Sequence, residues 1–363
     1  MEWSDRMKIA LVNTIRPQKD SGDGITEVTY TLYQALKKEH QVDLIYPIER
    51  SRRNDVLRFI YANTLFKLKL RGMLARDYDI IHIVNEEMGY AAKMAKETGT
   101  KAKVVISIFS LLRLTQGFHS GFVQNGYNRV VARGLREAVR YADLFIFSGI
   151  TVQRYGERLL GKPKRSKMIY IGPARGVLLK APPSKRKPGK VMNVGYVGSI
   201  TTWKNVIFIL RTAKLMKDMP GYKFSIYGPG AELKNMERYK EENGLSNVTF
   251  MGFAAQDRLL QIYDSFDVFF YPTLEEGTSL PVFDALVRRL PVILYRKTNL
   301  TDEVKKPCII VDDERHAVLE LERIRKNGYP QAKRLAAERY VRGFSWDRVI
   351  KETLEAYKGL LKD

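Results

Sequence analysis

Lys204, Glu276 and Asp284 are the side chains whose type and spacing could do chemistry on an anionic ligand. The segment 268–295 reads VFFYPTLEEGTSLPVFDALVRRLPVILY. Val268 to Tyr271 is an apolar run stopped by Pro272, the pattern of a buried strand ending at a loop. Glu276, Gly277, Thr278, Ser279 and Leu280 then lead into Pro281, which a helix tolerates in its first turn, and Thr278 or Ser279 can supply the N-cap oxygen. The spacing predicts a helix to about Arg289, ended before Pro291. Backbone N–H groups from Gly277 to Leu280 would then leave a strand's carboxyl end at a helix start, an arrangement that favours phosphates. Asp284 lies eight residues after Glu276, one turn into that helix.

A second junction of the same kind begins at Val191. Val191 to Val197 reads as a strand, Gly198 and Ser199 as a turn, and Asn205 to Met216 as a helix. Lys204 sits where an ammonium could pair with a diphosphate. Each junction alone also fits an ordinary crossover with an acidic cap and a surface lysine.

Strands and helices alternate along the rest of the chain, which predicts two doubly wound parallel sheets with ligands at strand carboxyl ends. Lys8 to Asn13 is a first strand, followed by a loop with Gly22 and Gly24 and a helix from Val28 to Lys38. Tyr78 to Asn85 is a strand with His82 inside an apolar run, which reads as a core histidine. The stretch 180–190 (KAPPSKRKPGK) is proline-rich, charged and without apolar periodicity, so it reads as a linker. The expected domains are 1–180 and 191–343, joined by 181–190, with a terminal helix at about 344–363 packing back on the first.

The net charge of +22 is uneven: residues 1–180 carry 31 Lys and Arg against 17 Asp and Glu. Such a field suits nucleic acid, an anionic membrane or a phosphorylated acceptor. Residues 50–76 combine helical apolar spacing with a run of basic side chains, so they read either as a membrane-surface helix or as a core-packed helix with a basic outer face. No nucleic-acid module is recognisable. One cysteine, Cys308, excludes internal disulfides and cysteine metal clusters, and the four histidines lack metal-ligand spacing. Neither a bilayer-length apolar run nor a signal-peptide core is present, so the expected setting is cytoplasmic, with the membrane face an option.

Residues 272–285 resemble the E-x7-E region of the retaining GT-B glycosyltransferases of family GT4. Glu276, Gly277, Leu280, Pro281 and Ala285 match its pattern, and Asp284 replaces the second glutamate. Lys204 and Asn205 resemble the family's V-G-R-L-x-x-x-K-G/N element, with Ser199 where its arginine falls. Gly228 lies in a turn like the family's I-x-G-x-G, and Phe253 follows a strand like its V-x-F-L-G-x. In the first half the resemblance is weaker: Gly22 and Gly24 imitate a Gly-Gly loop, and Phe109 stands where the family has a donor-contacting histidine, with His119 in the loop beyond.

The resemblance implies a GT-B fold with an interdomain cleft and transfer from a UDP- or GDP-sugar to a hydroxyl acceptor, lipid- or glycan-linked, without a metal or other cofactor. It implies that Glu276 holds the sugar, Lys204 and the 277–280 amides hold the diphosphate, and Asp284 holds the ribose. Two other readings stay open on the sequence: a GT-B sugar-nucleotide epimerase, and a non-catalytic basic protein that binds membrane or nucleic acid.

Overall fold

In a computed structural model of the chain, the described residues are 6–18, 24–47, 65–109, 111, 122–171, 190–274, 276 and 279–362. They fall into two compact units, Met1–Ile171 with Trp346–Asp363, and Gly172–Ser345. The expected linker at 181–190 lies, except for Lys190, outside the described residues.

The first unit is a six-stranded parallel sheet: β1 (Lys8–Val12), β2 (Gln41–Ile45), β3 (Ile80–Ile83), β4 (Lys103–Ile108), β5 (Leu144–Phe147) and β6 (Ser166–Met168), in the order β2-β1-β3-β4-β5-β6. Strand residues alternate between its faces. Ala10, Val12, Ile81, Ile83, Val104 and Ile106 pack with Phe66, Leu70 and Leu74 on one side. Ile9, Leu11, Ile80 and Val105 pack with Val349, Tyr357 and Leu360 on the other. Both faces being covered explains why these strands read as unbroken apolar runs.

The Leu65–Leu74 helix is the described part of the basic 50–76 stretch. It buries Phe66, Leu70 and Leu74, one residue per turn, and leaves Lys69 and Arg71 in solvent. His82 is buried, with Tyr357 Oη at 2.6 Å from Nδ1 and Ser107 Oγ at 2.7 Å from Nε2. Burial pulls its pKa down to about 3, so the imidazole is neutral. Tyr357 belongs to the terminal helix Trp346–Lys362, which the histidine thus ties to the first sheet.

The second unit is also a six-stranded parallel sheet: β7 (Met192–Val197), β8 (Tyr222–Tyr227), β9 (Val248–Phe250), β10 (Val268–Phe270), β11 (Val292–Tyr295) and β12 (Ile309–Val311). Its order is β12-β11-β10-β7-β8-β9, so the chain runs outward from β7 to one edge, then returns to β10 and runs to the other. The strand order reverses between β7 and β10. The crevice outside the carboxyl ends of such a pair is where open α/β sheets bind ligands.

Candidate functional site

Lys204 and Glu276 meet at this switch point. Lys204 follows β7, Glu276 follows β10, and Lys204 Nζ lies 2.8 Å from Glu276 Oε2. Only 12% of the lysine side chain and 19% of the glutamate side chain are exposed. Lys204 Nζ also donates to Tyr271 Oη at 2.9 Å and lies 5.2 Å from the centre of that ring. These two contacts hold the ammonium against the protein, so a ligand anion approaching Nζ meets a carboxylate already there.

The surrounding backbone holds this pair in place. Lys204 ends a short 3-10 turn, Thr202–Lys204, and Asn205 takes a left-handed conformation (φ 54°) before the Val206–Leu215 helix starts. The expected helix start beside Lys204 is therefore displaced by this one residue. Asparagine tolerates the left-handed region, and Asn205 Nδ2 donates to Pro272 O at 3.2 Å. Leu274 N–H donates to Trp203 O (2.8 Å), and Glu276 N–H donates to Asn299 Oδ1 (2.8 Å). Three segments far apart in sequence thus lock the two side chains together.

Tyr271 and Tyr196 lie beneath the pair with their rings stacked, centroids 5.5 Å apart. Burial pushes both phenols well above their ordinary pKa, and the Glu276 carboxylate pushes them further. Both are neutral hydroxyls. Tyr196 donates to Ser199 O at 2.8 Å.

Beside the switch point, the loops after β7, β8 and β9 form one hydrogen-bonded rim. Gly198 N–H donates to Tyr227 O, Ile200 N–H to Pro229 O, and Gly228 N–H to Gly252 O. Gly228 has φ 136°, and a Cβ there would overlap the carbonyl oxygen of Gly198. Only glycine fits this close approach. Ser199 is exposed on the rim, and Phe253 is 63% exposed just past β9.

The helix after Glu276 runs Leu280–Val287. Ser279 is its N-cap, accepting from Val282 N–H at 3.4 Å, and Pro281 lies in its first turn. It ends sooner than the expected Arg289 because Arg289 adopts φ 60°, which stops the helix. Glu338 pairs with the Arg289 side chain at 2.5 Å, and Arg334 Nη1 donates to its carbonyl at 2.7 Å. Arg288 pairs with Asp264 at 2.7 Å.

Asp284, the expected ribose-binding residue, is fully buried. Ser279 and Leu280 are also buried. Gly277 and Thr278 lie outside the described residues, as do Gly22 and His119. Gly24 opens the Gly24–Leu36 helix, and Phe109 is half-buried against the first core with its carbonyl accepting from Ser148 Oγ.

Four residues of the site escaped the sequence reading. Tyr196 and Tyr271 look like strand residues, and Trp203 contributes its carbonyl. Asn299 lies 23 residues beyond its partner with no local signal.

In the first sheet the order reverses between β1 and β3, where Asn85 Nδ2 donates to Asn13 Oδ1 (3.2 Å) and Thr14 Oγ1 to Glu87 Oε2 (3.3 Å). The single Asp-x-Asp spacing, Asp77-Tyr78-Asp79, lies at the amino end of β3. There Asp77 pairs with Lys8 at 2.8 Å and Asp79 accepts from Lys8 N–H at 2.7 Å. It is a structural brace. Among the described residues no cluster of three His, Cys, Asp or Glu side chains has metal-binding geometry, and no helix is long and apolar enough to cross a membrane.

Comparison with known proteins adds to this geometry. A model described as Glycosyltransferase Family 4 matches residues 22–172, and one described as Glycosyl transferases group 1 matches residues 192–325. An uncharacterised glycosyltransferase of Methanocaldococcus jannaschii is 24% identical over 174 residues, 45% of this chain and 44% of the relative. The O-antigen chain mannosyltransferase B of Escherichia coli is 21% identical over 170 residues, 45% of each. The chain thus matches less than half the length of these curated relatives.

Among solved structures, sucrose-phosphate synthase from Thermosynechococcus elongatus superposes with a TM-score of 0.80 at 17% identity, covering 98% of this chain and 100% of that one. The Anabaena protein HepE, solved with UDP and glucose, gives 0.75 at 14% identity, covering 97% and 100%. These likenesses concern the fold, which is GT-B. With family models matching both halves, the chain belongs to the group 1 glycosyltransferases of the GT4 type.

Proposed function

We propose that the chain is a retaining, metal-independent glycosyltransferase. It moves a sugar from a UDP- or GDP-sugar to a hydroxyl acceptor in glycolipid, lipid-linked oligosaccharide or polysaccharide synthesis. The observation that carries this reading is the Lys204–Glu276 pair held over the switch point of the second sheet.

On donor binding, Lys204 exchanges the Glu276 carboxylate for a diphosphate oxygen. Its ammonium then neutralises the charge that grows on the leaving diphosphate as the glycosidic bond breaks. One such preorganised donor contributes about 3–4 kcal/mol to the transition state. Glu276, released from the lysine, accepts from sugar hydroxyls and faces the cationic anomeric carbon. Tyr271 keeps the ammonium in register, since its neutral hydroxyl accepts from Lys204. Ser199 and Phe253 stand on the rim, where the nucleotide would lie. The positive charge of Lys204 does the work a metal ion would do on the diphosphate. The basic first unit carries the acceptor, and its charge favours a phosphate-bearing one at an anionic membrane face.

The test is thermal denaturation with UDP, GDP and ADP, followed by transfer assays with the corresponding sugars. A ligand at 100 times its dissociation constant adds about 2.7 kcal/mol of stability. Glu276→Gln and Lys204→Ala should lose turnover while keeping their circular dichroism spectra. Absence of stabilisation by any of the three at millimolar concentration, or undiminished transfer by both variants, overturns the assignment.

A further inference from the structure

The second sheet has a cavity at the end opposite Lys204. It opens at the amino end of β12 and has a volume of about 720 Å³, enough for a small metabolite. Lys306 and Cys308 line it from the approach to β12, Arg323 from the Glu314–Asn327 helix, Tyr329 from the turn, and Lys333 and Tyr340 from the Gln331–Arg342 helix.

The lining is mostly basic, with the Glu303 carboxylate acting on Tyr340 from beside it. Arg323 is neutralised by Glu320 at 2.7 Å, which uses the only acidic side chain in the lining. Lys306 lies 5.5 Å from the centre of the Tyr340 ring, and neither Lys306 nor Lys333 forms an ion pair among the described residues. Two exposed lysines outside any ion pair, one of them over the Tyr340 ring, beside two phenol rings match a ligand with an anionic end and a ring face. Burial raises the Tyr329 pKa, so that hydroxyl stays a neutral donor.

We propose that this cavity binds a small phosphorylated metabolite of the hexose monophosphate class, at a site separate from the Lys204–Glu276 pair. Lys306 and Lys333 hold the phosphate, and Tyr329 and Tyr340 face the sugar. The wall helix Gln331–Arg342 also carries Arg334 and Glu338, which fix Arg289 at the end of the helix that starts beside Glu276. A ligand in the cavity therefore bears on the element that anchors the catalytic helix. The proposal does not depend on the identity of the sugar donor.

Isothermal titration of the full chain with glucose 6-phosphate tests it. Lys306→Glu/Lys333→Glu reverses both charges, and the variant's melting temperature checks that the fold is kept. Binding should weaken at least 30-fold in this double variant and stay unchanged in Lys204→Ala. No binding, binding that survives the charge reversal, or binding lost in Lys204→Ala overturns the proposal. So does lysine-dependent binding of phosphatidic acid vesicles without binding of glucose 6-phosphate, which would make the site a headgroup contact.

Discussion

Glu276→Gln should abolish sugar transfer and at the same time tighten UDP binding. In the free protein Lys204 is shared between Glu276, at 2.8 Å, and Tyr271, at 2.9 Å. A diphosphate must compete with the carboxylate for the same ammonium. Removing one partner of a buried pair costs about 3–5 kcal/mol of stability. A fifth of the Glu276 side chain meets water and its backbone stays tied to Asn299, so Lys204→Met should cost about 2–3 kcal/mol. Glu276→Gln should cost about 2 kcal/mol, because Tyr271 still accepts from the lysine. The double variant should lose little more than either single one, giving a coupling energy of about 2 kcal/mol. Part of that coupling is returned to the ligand once the carboxylate is gone, so UDP should bind about tenfold tighter to Glu276→Gln and far more weakly to Lys204→Met. Urea denaturation gives the coupling, and calorimetric titration with UDP gives the affinities. Equal or weaker UDP binding by Glu276→Gln would refute the partner exchange. A coupling energy near zero would refute the pair itself.

Three further outcomes follow from particular contacts. Ser199→Arg places a guanidinium on the exposed rim beside the Lys204 site, and should lower the UDP dissociation constant about tenfold, as one charged hydrogen bond is worth about 1.5–3 kcal/mol. Gly228→Ala forces a Cβ into the Gly198 carbonyl at φ 136° and should cost about 2–4 kcal/mol, read as a lowered melting temperature together with weakened nucleotide binding. His82 has a folded pKa of about 3 against an ordinary 6.5, so the unfolded chain binds the extra proton between these values. Its contribution is complete above pH 6.5 and is lost by about 1.4 kcal/mol per pH unit as the pH falls towards 3. Replacing His82 with glutamine should flatten that part of the stability curve, measured by urea denaturation from about pH 7 to about pH 4.

The alternation of apolar strands and helices made both sheets legible, because buried parallel strands leave continuous runs such as IALV and IIHI. Ser279 and Pro281 marked the start of the site helix, since capping chemistry is local. Its end was harder to read: Arg289 adopts a left-handed conformation held by Glu338 and Arg334, which lie some 45 to 49 residues away. Lys204 and Glu276 could be nominated from sequence, but not the contact between them, which depends on β10 returning to lie beside β7. Asn299 was illegible for the same reason. Asp284 shows the opposite limit: helical spacing placed it in the right turn, yet the spacing carries no information on which face is covered.

The three-loop rim has a consequence for how this scaffold can change. The bonds joining the loops at 198–200, 228–230 and 252 run between backbone groups, and at Gly228 the approach admits no side chain. Variation in this region is thereby channelled into Ser199, Met251 and Phe253, which point outward and bear none of those bonds through their side chains. The rim is a fixed frame with three exchangeable inserts. A library that randomises those three positions and leaves the glycines alone should retain the fold in most members while altering nucleotide preference.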